Sequence, residues 1–163
     1  MKKSVSLDRF DLKILQALQE NGSLSNQDLA EYVGLTAAPC SRRVKRLEDV
    51  GVIRRRQVCL DERLLNLNLI VILHISMDQH TPERFTAFEE AINQIPEVQE
   101  CFLITGNDAD YQLKIVVPDM DSYHDILLGK ITRIQGVTGV NSSFVMRKIS
   151  DKNILPLKYV EYE

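Results

Sequence analysis

Apolar residues in the first third of the chain recur at helical spacing. Phe10, Ile14 and Leu18 repeat at i, i+4 and i+8 behind Asp8, a residue suited to capping a helix, and Asn21-Gly22 ends the run. Ser25 opens a second short helix, with Asp28 placed close to a capping box and Leu29, Ala30 and Val33 as its apolar stripe. Only Gly34-Leu35 separates it from a third helix, for which Thr36 is a good N-cap. Pro39 falls in the first turn of that helix, where its missing N–H costs little, and Gly51 stops it. Cys40, Val44 and Leu47 recur at i, i+4 and i+7 and predict a buried face. At about 100° per residue, Ala38, Arg42, Lys45 and Arg46 point the other way. Val52 to Leu60 then predicts a β-ribbon.

Asp61 to Asn68 is polar with interspersed leucines and reads as a hinge. Beyond it the period changes. Leu69–Met77, Val98–Thr105, Tyr111–Val117 and Val137–Ile149 are predicted strands. Between them, Pro82 starts a helix with Phe85, Phe88 and Ile92 on one face. Pro118-Asp119 starts another carrying Tyr123, Leu127 and Ile131 or Ile134. The order β-α-β-β-α-β is the split βαβ, ferredoxin-like unit. Ile95-Pro96-Glu97-Val98 and Ile134-Gln135-Gly136-Val137 echo each other at the helix-to-strand junctions, as two halves of one sheet would. Both helices on one face leave the other face of the sheet in need of cover. Val140, Ser142, Phe144 and Met146 are expected to share one side of the last strand. With these residues or their neighbours on the bare face, sheet-on-sheet homodimer packing is the expected solution.

The fold class is therefore α+β, with a helix-turn-helix head over residues 1–60, a hinge over 61–68 and a ferredoxin-like domain over 69–163. Charge sharpens the picture. Residues 1–60 hold 11 Lys/Arg against 7 Asp/Glu, a balance of +4, whereas residues 61–163 hold 9 against 16, a balance of −7. A basic head on an acidic body points to a nucleic-acid-binding module. A helix meant for the DNA major groove needs small residues for close approach and cations for phosphates or guanine edges. Thr36, Ala37, Ala38, Ser41, Arg42, Arg43, Lys45 and Arg46 are the candidate DNA contacts. Arg54, Arg55 and Arg56 read as a wing on flanking phosphates, with a charged edge strand as the alternative.

The cysteines, Cys40, Cys59 and Cys101, are odd in number and form no C-x-x-C. They read as reduced, mostly packing residues, giving neither a disulfide framework nor a zinc site. No apolar run is long enough to span a bilayer, so no membrane partner is expected. The chain reads as cytoplasmic and nucleoid-associated. No metal, cofactor or catalytic residue is expected.

The chain resembles the Lrp/AsnC family of feast/famine transcription regulators over about residues 7 to 158. The resemblance is carried by Asp8 through Leu18, Leu35 through Ile53, the wing, Gly106 to Tyr111, Ser142 to Met146 and Ile154 to Leu157. It implies a winged helix-turn-helix followed by a βαββαβ effector-binding domain. It also implies dimers that assemble further, often into octamers, on a pseudo-palindromic operator under control of a small amino acid. Carried onto this chain, the effector site, built where dimers meet, comprises Thr105, Gly106, Asn107, Asp108, Asp110, Tyr111, Ser142 and Ser143. A carboxylate at Asp108 or Asp110 suits an α-ammonium, while loop N–H groups and a serine hydroxyl suit an α-carboxylate. Solvated turn aspartates are the plainer alternative. The loop departs from the family pattern, with one residue more between Gly106 and Asp110-Tyr111. The many aliphatics of this domain point to leucine, methionine or another apolar amino acid.

Two alternatives stand beside this. The family's relatives include sirohaem decarboxylases of the same layout, which need histidines and arginines converging on a tetrapyrrole. This chain offers His74, His80 and His124 in a strand, a turn and a helix. The other is a ligand-binding assembly protein with a vestigial head, which the basic helix and wing speak against.

Overall fold

The computed structural model describes residues 5–106 and 108–162. It separates into two units, one formed by the chain up to Cys59 and again from Ser150, the other spanning Leu60–Ile149. The closing residues, expected with the second domain, therefore belong to the first.

In the first unit, α1 (Arg9–Glu20), α2 (Asn26–Val33) and α3 (Ala37–Asp49) surround one core. Asp8 caps α1 and forms a reciprocal capping box with Asp11. The buried positions of α1 are Asp11, Ile14, Leu15 and Ala17, so the stripe is rotated from the Phe10/Ile14/Leu18 expectation, and Phe10 and Leu18 lie at its margin. The apolar period could not count Asp11 as an inward position, because a carboxylate faces inward only when it is paired. Leu29, Ala30 and Val33 of α2 meet Cys40, Val44 and Leu47 of α3 as expected. Gly34 turns between the helices at φ +78°, a conformation open to glycine at little cost.

The expected ribbon over Val52–Leu60 does not form. Val52 and Ile53 pack against the core, Ile53 N donates to Leu47 O at 3.0 Å, and residues 54–60 carry no strand. In place of a second ribbon strand, the returning tail supplies Leu157 and Val160 to the same core. Gln19 grips the backbone of Leu155 there, accepting from its N at 2.7 Å and donating to its O at 3.4 Å.

The second unit is a four-stranded antiparallel sheet of order β2-β3-β1-β4, from β1 (Leu69–Met77), β2 (Val98–Leu103), β3 (Tyr111–Val117) and β4 (Val137–Phe144). Alternation sends Val71, Leu73 and Ile75 of β1, with Tyr111, Leu113 and Ile115 of β3, into one core. Phe88 and Ile92 of α4 (Pro82–Ile92) and Tyr123 and Ile126 of α5 (Met120–Gly129) close that core from the same side. Ile126 takes the buried place expected of Leu127, which packs at the margin.

β2 ends at Leu103 because its partner Tyr111 is the first residue of β3. β4 ends at Phe144, which pairs with Val71, and just past it Val145 N donates to Ile70 O at 2.9 Å. Register also settles which face of β4 is open. Ser142 and Val140 pair with Leu73 and Ile75 on the helix side, whereas Asn141 and Ser143 pair with His74 and Ile72 on the open side.

Gly136 leads into β4 at φ +98°, and a Cβ there would meet Arg84 Cδ at 2.5 Å. That side chain is itself held by Asp78, with Nε 3.1 Å from Oδ1. Gly136→Ala is expected to destabilise this unit by about 1–3 kcal/mol, read by urea denaturation.

Cys40 is buried and Cys101 half-buried, as mostly packing thiols would be, but Cys59 is exposed. Burial, with Glu89 nearby, pushes the Cys101 thiol up to about 11. Iodoacetamide at neutral pH is therefore expected to label Cys59 first, as mapped by peptide mass spectrometry.

Candidate functional site

The outward side of α3 begins with small residues and becomes cationic. Thr36 occupies the N-cap by its backbone, but its side chain makes no capping hydrogen bond and is exposed. The first carbonyl of the helix is secured from α2, where Asn26 Nδ2 donates to Ala37 O at 3.1 Å. Ala37, Ala38, Ser41, Arg42 and Lys45 are all exposed, and among the described residues neither Arg42 nor Lys45 has a carboxylate at ion-pair distance. Pro39, Arg42, Arg43 and Arg46 line a shallow depression of about 400 Å³.

Arg43 and Arg46 are placed differently from Arg42 and Lys45. Arg43 Nη1 lies 2.7 Å from Asp8 Oδ2 and 2.9 Å from Asp11 Oδ1, and Arg46 Nη2 lies 2.5 Å from Asp11 Oδ2. Arg46 Nη1 also donates to Ser6 O at 3.2 Å. Burial works against ionisation of Asp8, but the N–H groups of Asp11 and Phe10 and the Arg43 guanidinium outweigh it. They hold its carboxyl below the ordinary value. Past α3, Arg56 pairs with Glu48 at 3.2 Å, while Arg54 and Arg55 have no such partner among the described residues. Arg54, Arg55 and Arg56 line a second shallow depression with Glu48 and Ile53.

In the second unit a cavity of about 450 Å³ opens beside the β2–β3 hairpin, lined by His74, Ser76, Asp108, Ala109, Gly139, Val140 and Asn141. Its size falls within the roughly 300–1,000 Å³ typical of small-molecule pockets. Ser76 Oγ donates to Asp108 O at 2.8 Å and ties the hairpin to β1.

Of the residues expected to bind an effector, Asp108 lines this cavity, and Asn107 lies outside the described residues. Thr105 and Gly106 are exposed on the hairpin, Gly106 at φ +97°. Asp110 is a latch, its Oδ2 accepting from Met77 N at 2.7 Å and its Oδ1 lying 2.6 Å from His80 Nε2. Its backbone N also donates to Ile75 O, and its carbonyl accepts from Ile104 N, each at 2.8 Å. Tyr111 is a core residue whose hydroxyl donates to Glu89 Oε1 at 2.9 Å, its ring packed edge-on to Phe85. Burial, reinforced by the Glu89 carboxylate, raises the phenol pKa. Ser142 hydrogen-bonds Tyr123 on the helix side, and Ser143 is exposed on the opposite face, so the two serines do not converge.

The strands contribute what the expected effector site did not include, namely His74, Ser76 and Asn141. The signal for His74 and Ser76 is the alternation of polar and aliphatic residues toward the end of Leu69–Met77. His124 is exposed on α5, across the sheet from His74, so these two histidines do not gather around one substrate.

Residues 70–155 match the Lrp/AsnC ligand binding domain, and residues 7–54 match a winged helix-turn-helix DNA-binding domain. The chain is 42% identical over 157 residues to the leucine-responsive regulatory protein of Haemophilus influenzae, covering 96% of this chain and 94% of that protein. It is also 42% identical over 151 residues to the Bkd operon transcriptional regulator of Pseudomonas aeruginosa, covering 93% and 98% respectively. Among solved structures, a transcriptional regulator from Neisseria meningitidis in complex with L-Met superposes with a TM-score of 0.89 at 36% identity, over 96% of this chain and 100% of that one. An AsnC family transcriptional regulator from Agrobacterium tumefaciens superposes equally well, at 0.89 and 39% identity over 95% of this chain and 100% of that one. Both halves of the chain and their order thus agree, and the chain belongs to the Lrp/AsnC family of transcriptional regulators.

Proposed function

We propose that this regulator reads a pseudo-palindromic operator through α3 and that a small amino acid, bound at the β2–β3 hairpin, alters its DNA affinity or assembly. The observation that carries the first half is the exposed small-then-basic face of α3, with Arg42 and Lys45 unpaired among the described residues. Thr36, Ala37, Ala38 and Ser41 allow close approach, and Arg54 and Arg55 extend the cationic surface toward flanking phosphates. The effector half is supported by the cavity at Asp108 and by the relative solved with L-Met. His74, Ser76 and Asn141 give that cavity donors and acceptors for a zwitterion, and Val140 gives it an apolar wall. The longer Gly106–Asp110 loop sets the ligand preference.

Self-association is proposed through the open face of the sheet, where Ile72, His74, Asn141 and Ser143 lie uncovered by either helix. A two-fold dimer there presents two recognition helices to the two half-sites, and further assembly toward an octamer follows the family pattern. An effector shifts such an assembly only by its difference in affinity for the two states. The relatives' names support a non-enzymatic role, and a cytoplasmic, nucleoid-associated location fits a DNA-binding regulator.

Thermal-shift measurements against the twenty amino acids test the effector half. A true ligand at 100 Kd adds about 2.7 kcal/mol to stability and moves the melting temperature upward, with an apolar amino acid expected to move it most. A flat response across all twenty, with DNA affinity unchanged by each, would remove this part of the proposal.

A further inference from the structure

Among the described residues Asp11 is the one charged side chain that is buried, at 1% exposure. Its carboxylate is saturated by three donors, with Oδ1 taking Arg43 Nη1 and Oδ2 taking Arg46 Nη2 and the backbone N of Asp8. Asp8 adds a second carboxylate to Arg43 while its other oxygen caps α1. The Arg43 guanidinium also lies over the Phe10 ring, 5.5 Å from its centroid. Two of the four cations between Arg42 and Arg46 are therefore matched, one for one, by carboxylates of α1 and its cap.

We propose that Asp11, with Asp8, is a specificity-determining positioning pair: it holds Arg43 and Arg46 of α3 away from the DNA backbone, so that sequence-independent attraction is left to Arg42, Lys45, Arg54 and Arg55. The physical reason is competition between anions. A phosphate that drew Arg46 outward would strip the buried Asp11 carboxylate of one of its two guanidinium partners, which is costly in a desolvated site. Arg42 and Lys45 have no such tie among the described residues and are free to follow a phosphate or a base edge. Because counterion release is independent of sequence, fewer mobile cations mean weaker non-specific binding, while α3 keeps a fixed rotation about its axis against α1. Specificity is the ratio of the two affinities and rises accordingly.

The inference rests on α3 being the DNA-facing helix, which a separate Arg42→Ala/Lys45→Ala variant tests. If that variant, folded, keeps both the wild-type affinity and the wild-type salt slope, the facing of α3 is wrong, whatever the aspartates do. The probe for the pair is a mixed-sequence duplex of about thirty base pairs, bound by the full-length protein. The reading is the slope of log K against log salt, which changes by about 0.9 for each cation gained or lost at a phosphate.

Asp8→Asn/Asp11→Asn removes both charges yet keeps an N-cap as good as the original. The expected result is tighter binding to the mixed duplex and a slope steeper by about 0.9 to 1.8 per head. Arg43→Gln/Arg46→Gln in the wild-type background should leave the slope unchanged. Combining all four substitutions should return the steepened slope to the wild-type value. A purely structural role for the aspartates would weaken binding without steepening the slope, and that result, in a variant folded by circular dichroism, overturns the proposal. So does a flatter slope in Arg43→Gln/Arg46→Gln, which would place those arginines on phosphates directly. The latter variant, itself checked for fold by circular dichroism because it leaves Asp11 without a guanidinium, decides the matter alone if the doubly amidated protein does not fold.

Discussion

Replacing Arg42 and Lys45 together with alanine is expected to produce the largest loss of DNA binding available from two surface substitutions. Neither side chain supports the fold, because both are exposed and have no carboxylate partner among the described residues, so the variant should keep its oligomeric state and melting temperature. The form of the loss separates the two roles a cation can have. A side chain that reads a base edge costs about 1–3 kcal/mol and relaxes preference at one position, whereas one on a phosphate weakens all sequences alike and flattens the salt slope by about 0.9. Fluorescence anisotropy over a salt series, on specific and mixed duplexes, measures both. Unchanged affinity in a folded variant would discard α3 as the reading helix.

The second large effect is expected at the β2–β3 hairpin, where two aspartates two residues apart should behave differently. Asp110→Ala removes the acceptor of Met77 N–H and the carboxylate facing His80, and so unlatches the hairpin. A lost partner for a part-buried N–H costs about 1–3 kcal/mol, so the unliganded protein should melt lower and the effector response should disappear with the loop's geometry. Asp108→Ala leaves that latch in place, because Asp108 is tied through its backbone carbonyl to Ser76 and its exposed side chain borders the cavity. It should leave unliganded stability unchanged and weaken the ligand-induced shift. Calorimetry of both variants, with and without L-methionine as the probe, distinguishes the cases. If Asp110→Ala lost the response without any loss of intrinsic stability, Asp110 would be a direct ligand contact instead of a latch.

Much of the fold was legible because its signals are local. Leu29, Ala30 and Val33 against Cys40, Val44 and Leu47 form a helical pair written in one stretch of residues, with Gly34 marking the turn. The strand bounds of Leu69–Met77 and Tyr111–Val117 were equally plain, since aliphatic runs between turn residues need no knowledge of the rest of the chain. The end of β2 was not, because that strand stops where its neighbour does, and neighbours are a matter of register.

The sites divide along the same line. The small-then-basic surface of α3 follows from helix periodicity, so Ala38, Arg42 and Lys45 were placed correctly from spacing alone. That Arg43 and Arg46 face carboxylates 32 and 35 residues earlier could not be read from any window of sequence. Nor could the split of Ser142 from Ser143, or the gathering of His74, Ser76 and Asn141 with Asp108, which only strand pairing brings about. The sequence by itself determined which segments are helix or strand, which side of each is apolar, and where the positive charge is concentrated, because those depend on bond geometry and hydration along the chain. Tertiary structure alone decided which cations are already neutralised and which aspartate is a latch, because a charge or a hydrogen bond is satisfied by whatever the fold sets beside it, however distant in the chain.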